Sequence, residues 1–113
     1  MLQATDRLAE AEPLVRRALT IDESAFGPNH PRVATDLNNL AQLLKATDRL
    51  TEAEPLTRRV LITFVHFSRA VGSSHPHLQA AVDNYAVLLQ AMGRSHDEIL
   101  ATLREIAPEL FRK

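Results

Sequence analysis

The 113-residue chain contains no cysteine and only 3 glycines. The absence of cysteine excludes disulfide bonds, thiolate metal ligands and cysteine nucleophiles, and it favours a reducing compartment. The shortage of glycine argues against a loop that binds phosphate through closely approaching backbone N–H groups. Since aromatic residues make up 4% of the chain while alanine and leucine are abundant, the composition favours helices.

Charge and hydrophobic runs exclude further classes of protein. The formal net charge is −1 at pH 7, whereas proteins that bind nucleic acid or acidic membranes concentrate lysine and arginine. No apolar run approaches the roughly 20 residues of a membrane-spanning helix. The N-terminus MLQATDRLAEAE also lacks the basic start and apolar core of a signal peptide. We therefore expect a cytoplasmic protein that binds neither nucleic acid nor membrane.

One motif occurs twice. Residues 4–14 read ATDRLAEAEPL, and residues 46–56 read ATDRLTEAEPL, 42 positions later. Over a longer stretch, residues 2–19 and 44–61 are identical at 14 of 18 pairs. Self-similarity at a fixed period of this length indicates a repeat protein.

A second pair of segments matches at a shift of 45 residues. HPRVATDLNNLAQLLKATDR, which starts at His30, corresponds to HPHLQAAVDNYAVLLQAMGR, which starts at His75, and Asn39 matches Asn84. Because the two shifts differ by three residues, an insertion must lie between the matched blocks, in residues 62–74.

Apolar residues follow a helical period in every unit, with spacings of three and four that place them on one helix face. In helices that we call A-type, the stripes are Val33, Leu37, Leu40, Ala41 and Leu44, then Leu78, Val82, Tyr85, Ala86 and Leu89. In B-type helices, the stripes are Leu8, Ala11, Val15, Ala18 and Leu19, then Leu50, Ala53, Thr57, Val60 and Leu61.

Turn residues mark the helix boundaries. Pro31 and Pro76 are expected to begin A-type helices, since proline is tolerated in the first helical turn. Asp6, Asp48 and Gly93 stand where an A-type helix gives way to a B-type helix. Glycine and aspartate suit the left-handed or capping conformation that such a turn requires.

Prolines near the start of the B-type helices predict a local irregularity. We expect Thr51 to cap the second B-type helix, with Glu54 completing a capping box. Pro13 and Pro55 then lie just beyond the first-turn residues whose N–H groups have no partner within the helix, so each removes a backbone hydrogen bond. An irregular first turn follows, but not a break in the helix.

The repeat predicts the architecture. A single antiparallel helix pair of about 40 residues cannot bury its own apolar faces, so neighbouring pairs must stack. We predict an all-α solenoid with five main helices and about two and a half repeats in one domain. The expected divisions are a partial first repeat over residues 1–31, a second over 32–75, and a third with its cap over 76–113.

These residues resemble a known family. LNNLAQLLKATDRLTEAEPLTRRVL, preceded by FGPNHPRVA, is similar to the 42-residue tetratricopeptide repeat of the kinesin light chain type. The shared features are a Leu-Ala pair, a large residue three positions later, a turn before an arginine, and the EAEPL motif. Family positions for a turn glycine and for helix-B aromatic residues are occupied instead by Asp6, Asp48, Leu8, Leu50, Val15 and Thr57. The resemblance implies a non-catalytic protein interaction module without a cofactor.

The same resemblance implies a concave face, lined by A-type helices, that binds an extended peptide. The expected binding residues lie on these helices but outside the apolar stripe: Thr35, Asn38, Asn39, Gln42, Lys45, Ala80, Asp83, Asn84, Val87 and Gln90. Asn39 and Asn84 are the leading candidates, because a carboxamide both donates to and accepts from a peptide backbone. The alternative is that each asparagine bonds a neighbouring helix of the array. Lys45 either meets an acidic group of the ligand or is simply solvated.

The first repeat holds only the last residues of its A-type helix, which suggests a second kind of contact. The apolar face of helix 8–24 then lacks the helix that would cover it, and Ile62 and Val65 fall outside the stripe of helix 50–71. We hypothesise self-association through Leu8, Val15, Ile62 and Val65. The alternative is that Ile62 and Val65 pack on the lengthened connection into helix 76–92.

A metal site has little support in the sequence. His75 and His77, with His66 nearby, are the best candidates for ligands. No carboxylates stand at ligand spacing beside them. We therefore expect no metal site.

Charged residues of the B-type helices have an ordinary structural interpretation. Glu12 with Arg16, and Glu54 with Arg58, form i, i+4 pairs in the favourable order and are not expected to act as catalytic carboxylates. The Arg-Arg pairs that begin at Arg16 and Arg58 would attract phosphates, but acidic neighbours interleave with them. We therefore expect no enzymatic activity and no nucleic-acid partner.

Overall fold

The computed structural model describes residues 4–72 and 76–108. Within these ranges the chain forms five α-helices and no strand. The helices are α1 (Ala4–Phe26), α2 (Pro31–Ala46), α3 (Leu50–Val71), α4 (Leu78–Ala91) and α5 (His96–Ile106). Each helix packs against the next one along the chain. The prediction of an all-α solenoid with five helices is confirmed.

The left-handed turns predicted at two helix junctions are present. Asp48, between α2 and α3, has a φ of 60°, and Gly93, between α4 and α5, has a φ of 88°. The start of α2 is also ordered by local chemistry. His30 precedes the helix, and its Nδ1 accepts a hydrogen bond from the N–H of Arg32 at 3.0 Å. This bond satisfies one of the free donors of the first turn.

The turn predicted at Asp6 is wrong, because residues 4–26 form one uninterrupted helix. The helix preference of alanine, leucine, glutamate and arginine favours this continuous helix. Pro13 lies inside α1 and Pro55 inside α3, and both helices continue through their proline.

The capping box predicted at the start of α3 is also wrong. This helix begins directly after Arg49, and no side chain caps its first N–H groups. Thr51 already lies within the helix, because the left-handed Asp48 redirects the chain earlier. A capping box occurs instead at α5. There the Ser95 Oγ accepts from the N–H of Glu98 at 3.2 Å, and Glu98 Oε1 accepts from the N–H of Ser95 at 2.9 Å.

The predicted stripes of the A-type helices form part of the core. In α2 every member of the predicted stripe is at most 1% exposed: Val33, Leu37, Leu40, Ala41 and Leu44. The stripe of α4 is buried or half-buried throughout: Leu78, Val82, Tyr85, Ala86 and Leu89. Full burial of one leucine side chain stabilises a fold by about 1.5–3 kcal/mol. These stripes therefore supply much of the free energy that holds the hairpins together.

The first B-type helix is covered less than the second. Val15 and Leu19 of α1 are half-buried and Ala18 is exposed. Their counterparts in the next repeat include Val60 and Leu61, which are both buried. The difference follows from the neighbours, because α1 packs against α2, whereas α3 packs against both α2 and α4.

Candidate functional site

A small cavity lies where α2, α3 and α4 meet. Its volume is about 160 Å³. The residues that line it are Ala34, Thr35 and Asn38 of α2, Val60 and Phe64 of α3, and Ala80, Ala81 and Asn84 of α4, with His77 just before α4. Four of the expected binding residues, namely Thr35, Asn38, Ala80 and Asn84, therefore share one site.

Two asparagine side chains bridge the A-type helices at this cavity. The Nδ2 of Asn84 donates a hydrogen bond to the Oδ1 of Asn38, at 3.4 Å. The sequence repeat had instead matched Asn84 with Asn39, which is exposed and does not line the cavity. Successive residues of a helix point about 100° apart, so only one of the two adjacent asparagines faces α4. Asn84 thus makes the contact between neighbouring helices that the alternative interpretation expected.

Part of the predicted set lies at a second cavity, between α4 and α5. This cavity has a volume of about 280 Å³. Val87 and Gln90 line it, together with Arg94 and His96. The structure therefore divides the predicted peptide-binding residues between two places on the surface.

The remaining predicted binding residues line neither of these two cavities. Asn39 and Gln42 are exposed on α2, and Lys45 is half-buried near the end of that helix. On α4, Asp83 is exposed and its Oδ1 accepts a hydrogen bond from Gln79 Nε2 at 3.0 Å. These four side chains are not part of the walls of either cavity.

The residues predicted for self-association have mixed positions. Leu8, Val15 and Ile62 are half-buried. Val65 is 3% exposed and belongs to the core cluster, so it does not lie on the surface of this chain. Sequence reasoning missed Leu14, which is 69% exposed on α1. Its counterpart 42 residues later is half-buried, so the repeat alone gave no sign of this exposure.

An ionic cluster ties the start of α3 to α1. The Arg49 guanidinium donates to the carboxylates of Glu12 and Glu52, and Arg16 Nε donates to Glu12 Oε2 at 2.9 Å. Arg16 first, and Arg49 second, hold the pKa of the Glu12 carboxyl below its usual value. The predicted pair of Glu12 with Arg16 is confirmed, but the longer-range partner Arg49 was not foreseen.

Glu54 was expected to pair along its own helix, but it contacts α4. Its Oε2 accepts a hydrogen bond from the Tyr85 hydroxyl at 3.0 Å. Burial first, and Glu54 second, raise the pKa of Tyr85. This bond fixes the register of α4 on α3 beneath the candidate site.

A pair of carboxyl groups joins α1 and α2. Asp36 interacts with Asp22, and the Asp36 Oδ2 is buried without a hydrogen-bond partner in the described part of the chain. Burial first, and Asp22 second, raise the pKa of Asp36 to about 6. Arg32 opposes this shift, with its Nε 3.9 Å from Asp22 Oδ2. A proton shared by the two carboxyls would satisfy the buried oxygen.

The described ranges contain neither a candidate cluster of metal ligands nor a candidate membrane-spanning helix. Among residues 4–72 and 76–108, no group of three or more histidine, aspartate or glutamate side chains is placed to hold a metal ion. His75, one of the predicted ligands, lies outside the described residues. Of the helices described, none combines the length and the apolar character needed to cross a membrane.

Stacked helix hairpins define an α-helical repeat array. The sequence profile of the tetratricopeptide repeat family matches residues 1–61, more than half of the chain. The chain therefore belongs to the tetratricopeptide repeat family. Repeats of this family generally mediate protein–protein interactions and are generally non-catalytic. No curated protein matches the sequence.

Proposed function

We propose that this chain is a non-catalytic interaction module that binds an extended segment of a partner protein on the exposed side of α2 and α4. The carrying observation is the asparagine pair at the cavity. Its mutual hydrogen bond uses the Oδ1 of Asn38 and the Nδ2 of Asn84. Within the described residues, the Nδ2 of Asn38 and the Oδ1 of Asn84 have no partner and reach solvent. One donor and one acceptor therefore remain available to a ligand, which suits the alternating C=O and N–H groups of a peptide backbone.

The wider surface is part of the same proposal. It comprises Thr35, Asn38, Asn39, Gln42, Lys45, Asp83, Asn84, Val87 and Gln90. These residues include one cation and one anion, so the surface carries no strong charge of either sign. Backbone hydrogen bonds and apolar contacts should therefore contribute more to partner binding than long-range attraction does.

Peptides selected on the purified chain from a random display library test this proposal. For a selected peptide, Asn38→Ala and Asn84→Ala should each weaken binding about two- to tenfold, the range expected for loss of one hydrogen bond. Asn29→Ala is the matched control, because Asn29 is also exposed but lies in the turn between α1 and α2, outside the proposed surface. Fluorescence polarisation gives the dissociation constants. Equal affinities for all three variants, or no selected peptide at all, would reject the proposal.

A second candidate function is self-association through the first repeat, with Leu8, Val15, Ile62 and Val65 as the residues that the sequence proposed. The favouring observation is the apolar surface of α1, where Leu14 is 69% and Ile21 57% exposed. Contiguous exposed apolar surface often marks a contact between proteins. This surface adjoins Leu8 and Val15 on the same helix, whereas Val65 is buried and would have to act indirectly.

Light scattering over a series of concentrations tests self-association. The mass should rise with concentration, and the double substitution of Leu14 and Ile21 by serine should restore a constant monomer mass. Val71→Ser serves as the control, because Val71 is similarly exposed but lies at the far end of α3. A monomer mass at every concentration of the unchanged chain would exclude this function.

Finer assignments also belong to the proposal. The 42-residue period and the EAEPL motif support the kinesin light chain type of repeat. The order of the helices is compatible with a single domain divided into residues 1–31, 32–75 and 76–113. The cytoplasmic location and the absence of enzymatic activity, of a nucleic-acid partner and of a membrane partner stay predictions from the sequence.

A further inference from the structure

The cavity between α2, α3 and α4 has the size and lining of a pocket for one side chain. We infer that it receives a single uncharged apolar side chain, no larger than a phenyl ring, from the peptide that binds this face. This inference rests on the proposed function and specifies what the partner must carry. The partner is thus an extended peptide with one obligatory apolar anchor.

The lining excludes a charged occupant. Val60, Phe64, Ala34 and Ala81 are all buried apolar residues, and the lining contains no aspartate, glutamate, lysine or arginine. The rings of Phe64 and His77, which both line the cavity, stand 5.9 Å apart between centroids. An ionised side chain placed here would lose part of its hydration without an aspartate, glutamate, lysine or arginine to pair with, which is unfavourable. An apolar side chain would instead gain the free energy of leaving water.

The volume limits the size of the occupant. The cavity measures about 160 Å³, and an engineered protein cavity of about 150 Å³ is known to hold one benzene molecule. Valine, leucine, isoleucine, methionine and phenylalanine side chains therefore fit, whereas the indole of tryptophan does not. The asparagine pair at the rim would hold the peptide backbone on either side of the anchor.

The equivalent position of the preceding repeat does not offer such a pocket. Phe64 corresponds to Asp22 at the shift of 42, and Ala81 corresponds to Asp36 at the shift of 45. The junction of α1 with α2 accordingly contains a carboxyl pair where the next repeat has apolar groups. The junction of α1 with α2 therefore has no second apolar pocket of this kind. A peptide that lies along the face can place its apolar side chain in one position only, which sets its register.

Filling the pocket from the protein side tests the inference. Ala80 lines the cavity and is exposed, so Ala80→Leu occupies the space without disturbing the core. Ala91→Leu is the matched control, because Ala91 is also exposed on α4 but does not line this cavity. Peptides selected from a random display library should share one aliphatic or phenylalanine position. Ala80→Leu should weaken their binding at least about tenfold, the loss expected when one such side chain stays in water, and Ala91→Leu should leave it unchanged.

Replacing the anchor in the peptide provides an independent measurement. Alanine, glutamate or tryptophan at that position should each weaken binding to the unchanged chain by at least about tenfold. Alanine buries too little apolar area, glutamate carries a charge, and tryptophan is too large for the cavity. Selected peptides that depend on Asn38 and Asn84 but tolerate Ala80→Leu, or that carry a charged or tryptophan anchor, would overturn the pocket and leave the proposed function standing. Failure to select any peptide would overturn both.

Discussion

Replacing Asp36 by asparagine is expected to stabilise the chain at about pH 7.5 and to have little effect near pH 4. Asp36 lies against Asp22 at the junction of α1 and α2, and one of its oxygens is buried without a hydrogen-bond partner in the described structure. At pH 7.5 the ionised Asp36 carboxylate is destabilised, first by its burial and second by Asp22. Asparagine removes one charge, and its amide can donate to the Asp22 carboxylate.

The sign of the pH dependence follows from the direction of the shift. The pKa of Asp36 is raised from 3.8 to about 6, so the folded chain holds this proton more tightly than the unfolded chain does. As pH rises from about 4 to about 6, the free energy of unfolding therefore falls, and above that range the loss is complete. Asp36→Asn cannot lose a proton, so the advantage of the variant should grow over the same interval.

The magnitude follows from the same shift. A difference of about two pKa units corresponds to about 3 kcal/mol as an upper limit. Asp36 is only half-buried, and solvent screening reduces the interaction of partly exposed charges. We therefore expect Asp36→Asn to raise the free energy of unfolding by about 1–2 kcal/mol at pH 7.5.

Urea unfolding followed by circular dichroism, at intervals from pH 4 to pH 8, measures this effect. The difference between variant and unchanged chain isolates Asp36 from the other carboxyls, whose own protonation affects both proteins. Asp83→Asn is the matched control, since Asp83 is exposed on α4, and its effect should be small at every pH. A stability difference for Asp36→Asn that does not change with pH, or a destabilised variant at pH 7.5, would refute the reasoning.

Three further substitutions test local features by thermal or urea unfolding. Ser95→Ala removes the cap of α5 and should destabilise the chain by about 1 kcal/mol; an unchanged midpoint would contradict the role of the capping box. Asp48→Gly relieves a side chain held at a φ of 60° and should stabilise by up to about 1 kcal/mol, whereas a loss would show that the aspartate side chain is needed. Tyr85→Phe removes the hydroxyl that donates to Glu54 and should lower the free energy of unfolding by about 1–3 kcal/mol. An unchanged free energy of unfolding would contradict this expectation.

Much of the fold was accessible from the sequence because it depends on residues close together in the chain. The spacing of Leu37, Leu40 and Leu44 predicted the buried face of α2, and all three are in the core. Asp48 and Gly93 marked real turns. The errors occurred where the context differs between repeats. Asp6 lies within α1, whereas Asp48 forms a turn, although their neighbours in sequence match.

The candidate site was less accessible, because it depends on contacts between repeats. The shift of 45 matched Asn84 with Asn39, but the side chain that Asn84 meets belongs to Asn38. The carboxyl contact of Asp22 with Asp36 also went unnoticed. Both contacts join residues of different helices, and their geometry depends on how one helix is rotated against the next.

By itself, the sequence determined that this protein is a stack of helix pairs, which face of each A-type helix is buried, and where most of the helices end. A helix has a constant rise and rotation per residue, so spacing along the chain translates directly into position on a face. Only the tertiary structure decided which side chains of successive helices meet: the asparagine pair, the carboxyl pair and the apolar pocket. These contacts depend on the angle and offset at which two helix surfaces pack against each other. The angle and offset are set by the combined packing of many side chains rather than by any local run of residues.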